Sequence, residues 1–158
     1  TYWIATHTWP DGVVRSMSAN SAADANVVTW RELYYSYIGD VKSYNCPSAT
    51  KYPYKGSPVT SLQGHYTQNV NCAHVADAAY RQPSECAIIV ECNDDITTVQ
   101  SYYINYFNQS STRVIGRHNE STNVIYADGH VAPKKKVAVP DYGSSSRFWM
   151  PTYTGTAN

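Results

Sequence analysis

Apolar side chains recur at helical spacing in one clear stretch of the chain, which begins at Trp30. The apolar positions there are Trp30, Leu33, Tyr34, Tyr37 and Ile38. This spacing predicts a short amphipathic helix that turns these side chains into the core. A capping box formed by Thr29 and Glu32 marks the start of the helix. Gly39 marks its end, because glycine readily adopts the left-handed conformation that closes a helix.

After this helix the pattern changes from helical spacing to short β-prone runs separated by Gly, Pro and Ser. Residues 41–46, 65–72 and 86–92 are the runs that we interpret as strands. Residues 1–26 show no clear period, and we expect them to be mostly irregular. Residues 102–107 are aromatic, and their pattern does not distinguish a helix from a strand.

The sharpest local signal is a hairpin near the end of the chain. Two β-prone runs, residues 123–127 and 130–132, flank Asp128-Gly129. Asp-Gly between two such runs predicts a two-residue type I′ turn, in which both central residues have positive φ. Three lysines follow at positions 134–136. We interpret them as charges that protect an edge strand from aggregation rather than as a binding patch.

Composition narrows the class of protein. The 158 residues suit one domain, 1–158, and charged residues make up 15% of them, against roughly 25% in an average soluble protein. The formal net charge is zero, which argues against a nucleic-acid-binding protein, because such a protein needs a basic face. No apolar run reaches the length of a membrane span. The 15 tyrosines imply exposed rings, which suit either a subunit interface or a platform for sugars.

The cysteines point to an oxidising compartment. They are Cys46, Cys72, Cys86 and Cys92. Their spacing matches neither a zinc finger nor a haem site, and an even number of widely spaced cysteines predicts two disulfides. Asn108 and Asn119 both begin an Asn-x-Ser sequon and are candidate glycosylation sites. Together these features predict an extracellular or cell-surface protein.

Strand geometry favours one disulfide connectivity out of three. Cys86 and Cys92 bracket one strand, so their Cα atoms lie about 20 Å apart, whereas a disulfide needs less than about 7 Å. This excludes Cys86–Cys92 and, with it, Cys46–Cys72. If strands 65–72 and 86–92 are antiparallel neighbours, the loop between them brings Cys72 next to Cys86. We therefore predict Cys72–Cys86 and Cys46–Cys92.

Candidate chemistry is sparse. His118, Asp128 and His130 are close in sequence and could contribute ligands to a metal site. The competing interpretation is that Asp128 serves the turn and that His118 hydrogen-bonds to Asp128 or to the backbone near it. The chain has no nucleophile elbow, phosphate-binding loop or His-Glu-x-x-His motif. We therefore expect no catalytic residues and no cofactor.

The motifs, taken in order, resemble a known family. Arg117-His118, nine residues and then Asp128-Gly129-His130-Val131 is similar to the H-x9-DG signature of prepilin-type processing-associated proteins. The other similar pieces are Trp9-Pro10-Asp11-Gly12 (YPdG), Trp30…Leu33…Tyr37-Ile38 (W…L…PYi), Tyr44-Asn45-Cys46-Pro47-Ser48 (f-x-CPS), His65-Tyr66-Thr67-Gln68-Asn69 (SYg-x-N) and Gln82-Pro83-Ser84…Ile88-Ile89-Val90-Glu91 (sPs…illxE/D). The match spans residues 9–131 and leaves 132–158 as a C-terminal extension.

The resemblance implies an α+β fold of the type IV pilin or pseudopilin head: a single antiparallel sheet, a short amphipathic helix and long loops. It also implies a non-catalytic structural subunit that assembles with copies of itself into a bacterial extracellular filament. The family begins with a long apolar helix that residues 1–158 do not contain. Either this helix has been removed and is encoded upstream of Thr1, or the chain assembles differently. The alternative is a small secreted adhesive or carbohydrate-binding module that uses exposed Tyr and Trp. A metal-dependent enzyme at His118, Asp128 and His130 is a third hypothesis.

Overall fold

The computed structural model describes residues 6–8, 14–17, 27–28, 30–49, 65–72, 75–92, 103–104, 114–140 and 146–155. The helix is α1, Trp30–Ile38. The strands are β1 (Thr6–Thr8), β2 (Val14–Met17), β3 (Val27–Val28), β4 (Tyr66–Asn69), β5 (Ala87–Glu91), β6 (Tyr103–Ile104), β7 (Ser121–Tyr126) and β8 (Val131–Lys135). Asn108, the predicted turn at residues 9–12 and the predicted N-cap Thr29 lie outside the described residues.

The main sheet has the strand order β6-β4-β5-β7-β8. Strand β5 pairs antiparallel with β4 and with β7, and β7 pairs antiparallel with β8, which confirms an antiparallel sheet in an α+β chain. The short β6, from the aromatic segment whose type the sequence left open, pairs parallel with β4. The pairing of β4 with β5 also confirms the antiparallel relationship on which the predicted disulfides depend.

A second, smaller sheet lies in the N-terminal part of the chain. Strand β1 pairs antiparallel with β2, and β2 pairs parallel with β3. The prediction that residues 1–26 are mostly irregular is therefore wrong for β1 and β2. Strands of three and four residues are too short to show a period of two, and pairing with a partner strand overrides such weak local preferences.

Helix α1 has the predicted bounds but buries a narrower face than predicted. Gly39 follows it with φ of 68°, the left-handed conformation expected at a helix end. Trp30 is buried, and Tyr34 and Tyr35 pack beside it, so the helix contacts the sheet through its N-terminal half. Tyr37 is 85% exposed, so its predicted place in the core is wrong. Within the described residues, no helix has the length and apolar character needed to cross a membrane.

Residues 41–46 do not form the predicted strand. Val41–Tyr44 is a single turn of 3-10 helix. The Asp40 carboxylate accepts a hydrogen bond from the Lys42 N–H at 2.9 Å, and such local side-chain bonding competes with strand formation. The Tyr44 side chain at the end of this turn is buried against Trp30, and the chain then enters the interior at Cys46.

The β7–β8 hairpin is confirmed, but its turn is not the predicted type. Gly129 has φ of 91°, whereas Asp128 is not among the non-glycine residues with positive φ. Gly129 N–H donates to Tyr126 C=O at 2.9 Å, and Tyr126 N–H donates to His130 C=O at 3.0 Å. These bonds define a three-residue loop closed by a left-handed glycine, the second most common hairpin connection.

Lys134 and Lys135 lie in the predicted edge strand, and Lys136 begins the 3-10 turn that follows it. Strand β8 is the last strand of the described sheet on this side, and it contains Pro133, a residue that sheets tolerate at their edges. Lys134 Nζ lies 5.1 Å from the centre of the Phe148 ring. Lys135 Nζ donates to Asn119 C=O at 2.7 Å. The lysines therefore cover the edge strand and the adjacent turn.

The C-terminal segment belongs to the core of the sheet. Phe148 and Trp149 are buried in the main apolar cluster. The side-chain amide of Asn69, itself fully buried, donates to Ala87 C=O and to Trp149 C=O, both at 2.9 Å. The amide therefore joins β4, β5 and the C-terminal segment. The C-terminal segment, which lies beyond the quoted motifs, therefore completes the interior against which β5 and β7 pack.

Candidate functional site

Three chemically distinct side chains from distant parts of the sequence meet beside the sheet. They are Cys46, Glu91 and His118, and their thiol, carboxylate and imidazole atoms all lie within 4.8 Å of one another. His118 Nε2 is 2.8 Å from Glu91 Oε1 and 3.3 Å from Cys46 Sγ. We call these three residues the Cys-Glu-His cluster.

Glu91 is the most deeply buried member of the cluster. It is the last residue of β5 and its side chain is fully buried. A carboxylate in such a place is costly unless it is paired and hydrogen-bonded. Its Oε2 accepts the Asn123 N–H at 2.9 Å, and Arg117 Nη1 lies 3.7 Å from its Oε1. The sheet and the segment before β7 therefore supply partners for both carboxylate oxygens.

Tyr66 stands opposite Glu91 across the β4–β5 pair. Burial is the main cause that raises the pKa of the Tyr66 hydroxyl, and the nearby Cys46 and Glu91 raise it further. The Tyr66 hydroxyl therefore stays protonated at neutral pH and adds no charge to the site.

His118 is placed by a tight turn that the sequence did not predict. His118 and Ser121 exchange two backbone hydrogen bonds of 3.0 Å, and the residues between them, Asn119 and Glu120, have φ of 50° and 58°. Positive φ at both central positions is the type I′ geometry. The type I′ turn predicted at Asp128-Gly129 is therefore found one strand earlier, where it directs His118 towards the sheet.

Gly116 allows this turn to fold back on the chain. A Cβ atom at position 116 would lie 2.8 Å from the carbonyl carbon of Glu120. Only glycine accommodates a backbone approach this close without displacement of the turn. The approach fixes where the segment carrying Arg117 and His118 begins.

Cys46 is held by its backbone. His65, which is buried, accepts the Cys46 N–H through Nδ1 at 3.0 Å. The His65 backbone also donates to Tyr44 C=O and accepts from Cys92 N–H, both at 2.8 Å. His65 therefore joins the segment of Cys46 to the end of β5, and it fixes the thiol of Cys46 beside His118.

The cluster differs from a catalytic triad in one respect. In a nucleophile–histidine–carboxylate arrangement the imidazole contacts its two partners through different ring nitrogens. Here Cys46 Sγ and Glu91 Oε1 both approach Nε2 of His118. Three donor atoms that lie within 4.8 Å of one another suit ligation of a cation better than they suit proton relay.

The candidate metal ligands His118, Asp128 and His130, which the sequence offered only as an alternative, are not brought together among the described residues. Asp128 Oδ1 accepts from the His130 N–H at 3.1 Å and lies 2.6 Å from His130 Nδ1, and this pair lies on the exposed hairpin loop. The bonds from His130 lower the pKa of Asp128. The expected hydrogen bond of His118 to Asp128 is also wrong, because His118 Nε2 faces Glu91 instead. Of the two candidate glycosylation sites, Asn108 lies outside the described residues, and Asn119 is exposed.

All four cysteines are buried and none is part of a disulfide in the structure, so neither predicted disulfide is formed there. Cys72 Sγ and Cys86 Sγ nevertheless lie 3.8 Å apart, side by side as the predicted pairing requires. Their mutual hydrogen bond is the main cause that raises the pKa of Cys72, and burial adds to it. Cys46 instead directs its thiol at His118, so the predicted Cys46–Cys92 bond would compete with the cluster.

No local sequence pattern indicated the Cys-Glu-His cluster. Glu91 precedes His118 by 27 residues and Cys46 precedes it by 72. The three residues were connected only through the motif resemblance, because each of them lies in a different one of the quoted motifs. Comparison of the chain with protein-family models, with curated proteins and with solved structures finds no match. The likeness to the H-x9-DG family therefore rests on the motif residues quoted above.

Proposed function

We propose that this chain is the globular head of a pilin-like or pseudopilin-like subunit, which assembles with copies of itself into a filament on a bacterial surface. Its role is structural rather than catalytic. The proposal takes its family from the motif resemblance. The contacts that the motif residues make within the chain support it.

The observation that carries the proposal is the convergence of separate motif pieces. Cys46 comes from the CPS piece, Glu91 from the illxE piece and His118 from the H-x9-DG piece, and the three side chains meet within hydrogen-bonding range. Unrelated chance matches to short patterns have no reason to meet in space. Their meeting therefore supports one inherited architecture.

The spacing of H-x9-DG also acquires a structural meaning. His118 opens the type I′ turn that leads into β7, and Gly129 takes the left-handed conformation in the loop that ends the hairpin. The nine intervening residues comprise that turn, the six residues of β7 and one loop residue. A change in their number would move either His118 or Gly129 out of place.

Other motif residues hold the chain together rather than face outwards. Asn69, from the SYg-x-N piece, bonds with β5 and the C-terminal segment. Asp128 caps its own loop through the His130 N–H. Motif residues that bond with other parts of the same chain favour an architectural role, which suits a filament subunit better than an enzyme.

Immuno-electron microscopy of the native cells tests the proposal. An antibody raised against this chain should label filaments or short pili along their length, and a strain that lacks the gene should show no labelled filament. The same gene should encode an apolar helix, preceded by a prepilin cleavage site, upstream of Thr1.

A different localisation would overturn the proposal. Label confined to monodisperse monomers in the medium, with no filament, would contradict assembly. If those monomers bound members of a glycan array, the carbohydrate-binding alternative would replace it. Labelled filaments that also bind glycans would leave the structural role in place.

A further inference from the structure

We propose that the Cys-Glu-His cluster is a binding site for a zinc-like divalent transition-metal ion, with Cys46 Sγ, Glu91 Oε1 and His118 Nε2 as its protein ligands. This site goes beyond the filament role and does not depend on it. The ion would cross-link the segment after the 3-10 turn, the end of β5 and the type I′ turn before β7.

The chemistry of the donor set points to zinc. Thiolate sulfur, imidazole nitrogen and carboxylate oxygen are the three ligand types that Zn²⁺ uses in proteins. A site built only of oxygens would suit Mg²⁺ or Ca²⁺, whereas a cysteine ligand selects softer ions. Three protein ligands leave the fourth tetrahedral position for water or another small ligand.

Two of the three distances between ligand atoms are near those of a tetrahedral site, and all three atoms lie within 4.8 Å of one another. Bond lengths of 2.0–2.3 Å to zinc place neighbouring ligand atoms about 3.3–3.7 Å apart. The sulfur–nitrogen distance is 3.3 Å and the nitrogen–oxygen distance is 2.8 Å. Entry of an ion requires the carboxylate and the imidazole to separate by about half an ångström, which side-chain rotation can supply.

The shared nitrogen explains how a metal would replace a proton. With its proton on Nε2, His118 donates to Glu91 Oε1, and Cys46 Sγ lies beside the same proton. On binding, the Cys46 thiol proton leaves to solvent and the single proton of the neutral imidazole resides on Nδ1. The thiolate, the Nε2 lone pair and Oε1 then all point at the ion.

The ligands are oriented by bonds that do not involve an ion. The Asn123 N–H holds Glu91 Oε2 at 2.9 Å, which leaves Oε1 for the ion. His65 Nδ1 holds the Cys46 N–H at 3.0 Å. Such supporting contacts fix the direction of metal ligands and commonly change affinity by 10- to 100-fold when removed.

Charge and access are compatible with a divalent ion. Cys46 thiolate and Glu91 supply two negative charges, and Arg117 at 3.7 Å from Oε1 supplies one positive charge. An ion of charge +2 therefore leaves the site at +1. The His118 side chain is 33% exposed while that of Glu91 is fully buried, so the ion would enter from the side of His118.

The site and the predicted Cys46–Cys92 disulfide exclude each other, because one sulfur cannot do both. Metal binding therefore needs the reduced form of Cys46. This exclusion makes the thiol state of Cys46 in the native protein a direct test of the proposal.

Cobalt titration of the reduced, metal-free chain is the central experiment. Co²⁺ should bind with one equivalent per chain and produce a thiolate-to-cobalt charge-transfer band, which Zn²⁺ then displaces. Elemental analysis of freshly isolated protein should give the same stoichiometry. Zn²⁺ should raise the Tm of the wild-type chain, and a chelator should return it to the metal-free value.

Variants separate this site from the other candidate ligands. Cys46→Ser should abolish the charge-transfer band, and His118→Gln should weaken Co²⁺ binding at least 10-fold. His130→Gln, on the exposed loop, is the matched control and should leave the titration unchanged. If a ligand variant fails to fold, the wild-type stoichiometry, band and Tm shift still decide the question.

Three results would overturn the proposal. The first is a folded, reduced wild-type chain that binds no Co²⁺ or Zn²⁺ in a stoichiometric way. The second is binding that survives in Cys46→Ser and His118→Gln but is lost in His130→Gln. The third is native protein in which peptide mapping finds Cys46 joined to Cys92.

Discussion

The Glu91 carboxylate meets the His118 imidazole at 2.8 Å, although 27 positions separate the two residues in the chain. The contact joins the end of β5 to the turn that precedes β7, its neighbour in the sheet. Because Glu91 is fully buried, the contact also compensates part of the cost of placing a charge in the interior. Stability and position of the turn are therefore coupled through one hydrogen bond.

Replacement of His118 should destabilise the metal-free protein. His118→Ala removes one partner of a buried carboxylate, and the expected loss is about 1–3 kcal/mol in the free energy of unfolding. Urea unfolding in the presence of a chelator measures it. Val137→Ala, at a side chain that is 93% exposed, is the control and should change stability by less than about 0.5 kcal/mol.

A double-mutant cycle would assign that loss to the pair. Glu91→Gln removes the charge and His118→Ala the imidazole of the same contact, so together they should cost less than the sum of the single changes. Strict additivity of the two losses would mean that the contact contributes nothing to folding, and the coupling argued here would then be wrong.

Glu120→Gly should stabilise the type I′ turn. Glu120 has φ of 58°, and a left-handed conformation costs a residue with a Cβ roughly 1–2 kcal/mol, part of which glycine returns through its greater freedom in the unfolded chain. We expect a net gain of about 0.5–1 kcal/mol in thermal or urea unfolding. Glu120→Ala keeps the Cβ and should show no comparable gain; equal effects of the two substitutions would contradict the strain.

Gly116→Ala should have the opposite effect. The new Cβ would lie 2.8 Å from backbone atoms of Glu120, so the turn must shift, and overpacking of this kind typically costs about 1–3 kcal/mol. Gly129→Ala is an informative comparison, since nothing lies within 4 Å of a Cβ there and only its φ of 91° opposes the change. Wild-type stability of Gly116→Ala would show that the segment has room that the structure does not indicate.

Local signals predicted the elements whose ends are set by single residues. Helix α1 ends where Gly39 adopts positive φ, and the hairpin closes where Gly129 does so. The exposure of Tyr37 shows the limit of this reasoning. Helical spacing tells which side chains share a face, whereas the length of the neighbouring sheet decides how much of that face is covered.

The candidate site could not be found from local pattern, because its members are joined only by tertiary contacts. Cys46 reaches the cluster through a 3-10 turn where a strand was expected. His118 reaches it through a type I′ turn whose second central residue, Glu120, is a poor type I′ former. The sequence therefore predicted the type I′ turn at Asp128-Gly129, and it predicted that His118 contacts that turn. Glu120, which breaks the local turn preference, lies beside the candidate site.

The Asp128–His130 pair should produce a small, local pH dependence. Hydrogen bonds from His130 hold the pKa of Asp128 below its usual value. A carboxylate with a lowered pKa contributes stability above its unfolded-state pKa, and that contribution is lost as pH falls through the lowered value. In an NMR titration, His130→Ala should therefore raise the pKa of Asp128 towards normal.

His118→Ala is the control for that titration, and it should leave the pKa of Asp128 unchanged because His118 faces Glu91. A pKa of Asp128 that rises with His118→Ala would restore the contact that the sequence suggested and the structure does not contain.

Controlled oxidation should join Cys72 to Cys86. Their sulfur atoms are 3.8 Å apart in the interior, so a bond needs only a small movement, and it would close a loop of about 15 residues worth roughly 3 kcal/mol in the chain-entropy model. The raised pKa of Cys72 keeps it as the thiol at neutral pH, so the reaction should be slow without a catalyst of disulfide exchange. Non-reducing peptide mapping identifies the bond, and the urea midpoint measures its effect.

Cys86→Ser is the matched control, since it removes the partner of Cys72 and leaves the Cys-Glu-His cluster intact. Oxidation of that variant should produce no stabilisation. A map that joins Cys46 to Cys86 would contradict the pairing, and it would also require β4 and β5 to lie in a register other than the one in which Tyr66 faces Glu91. The disulfide experiment therefore tests the sheet as well as the bond.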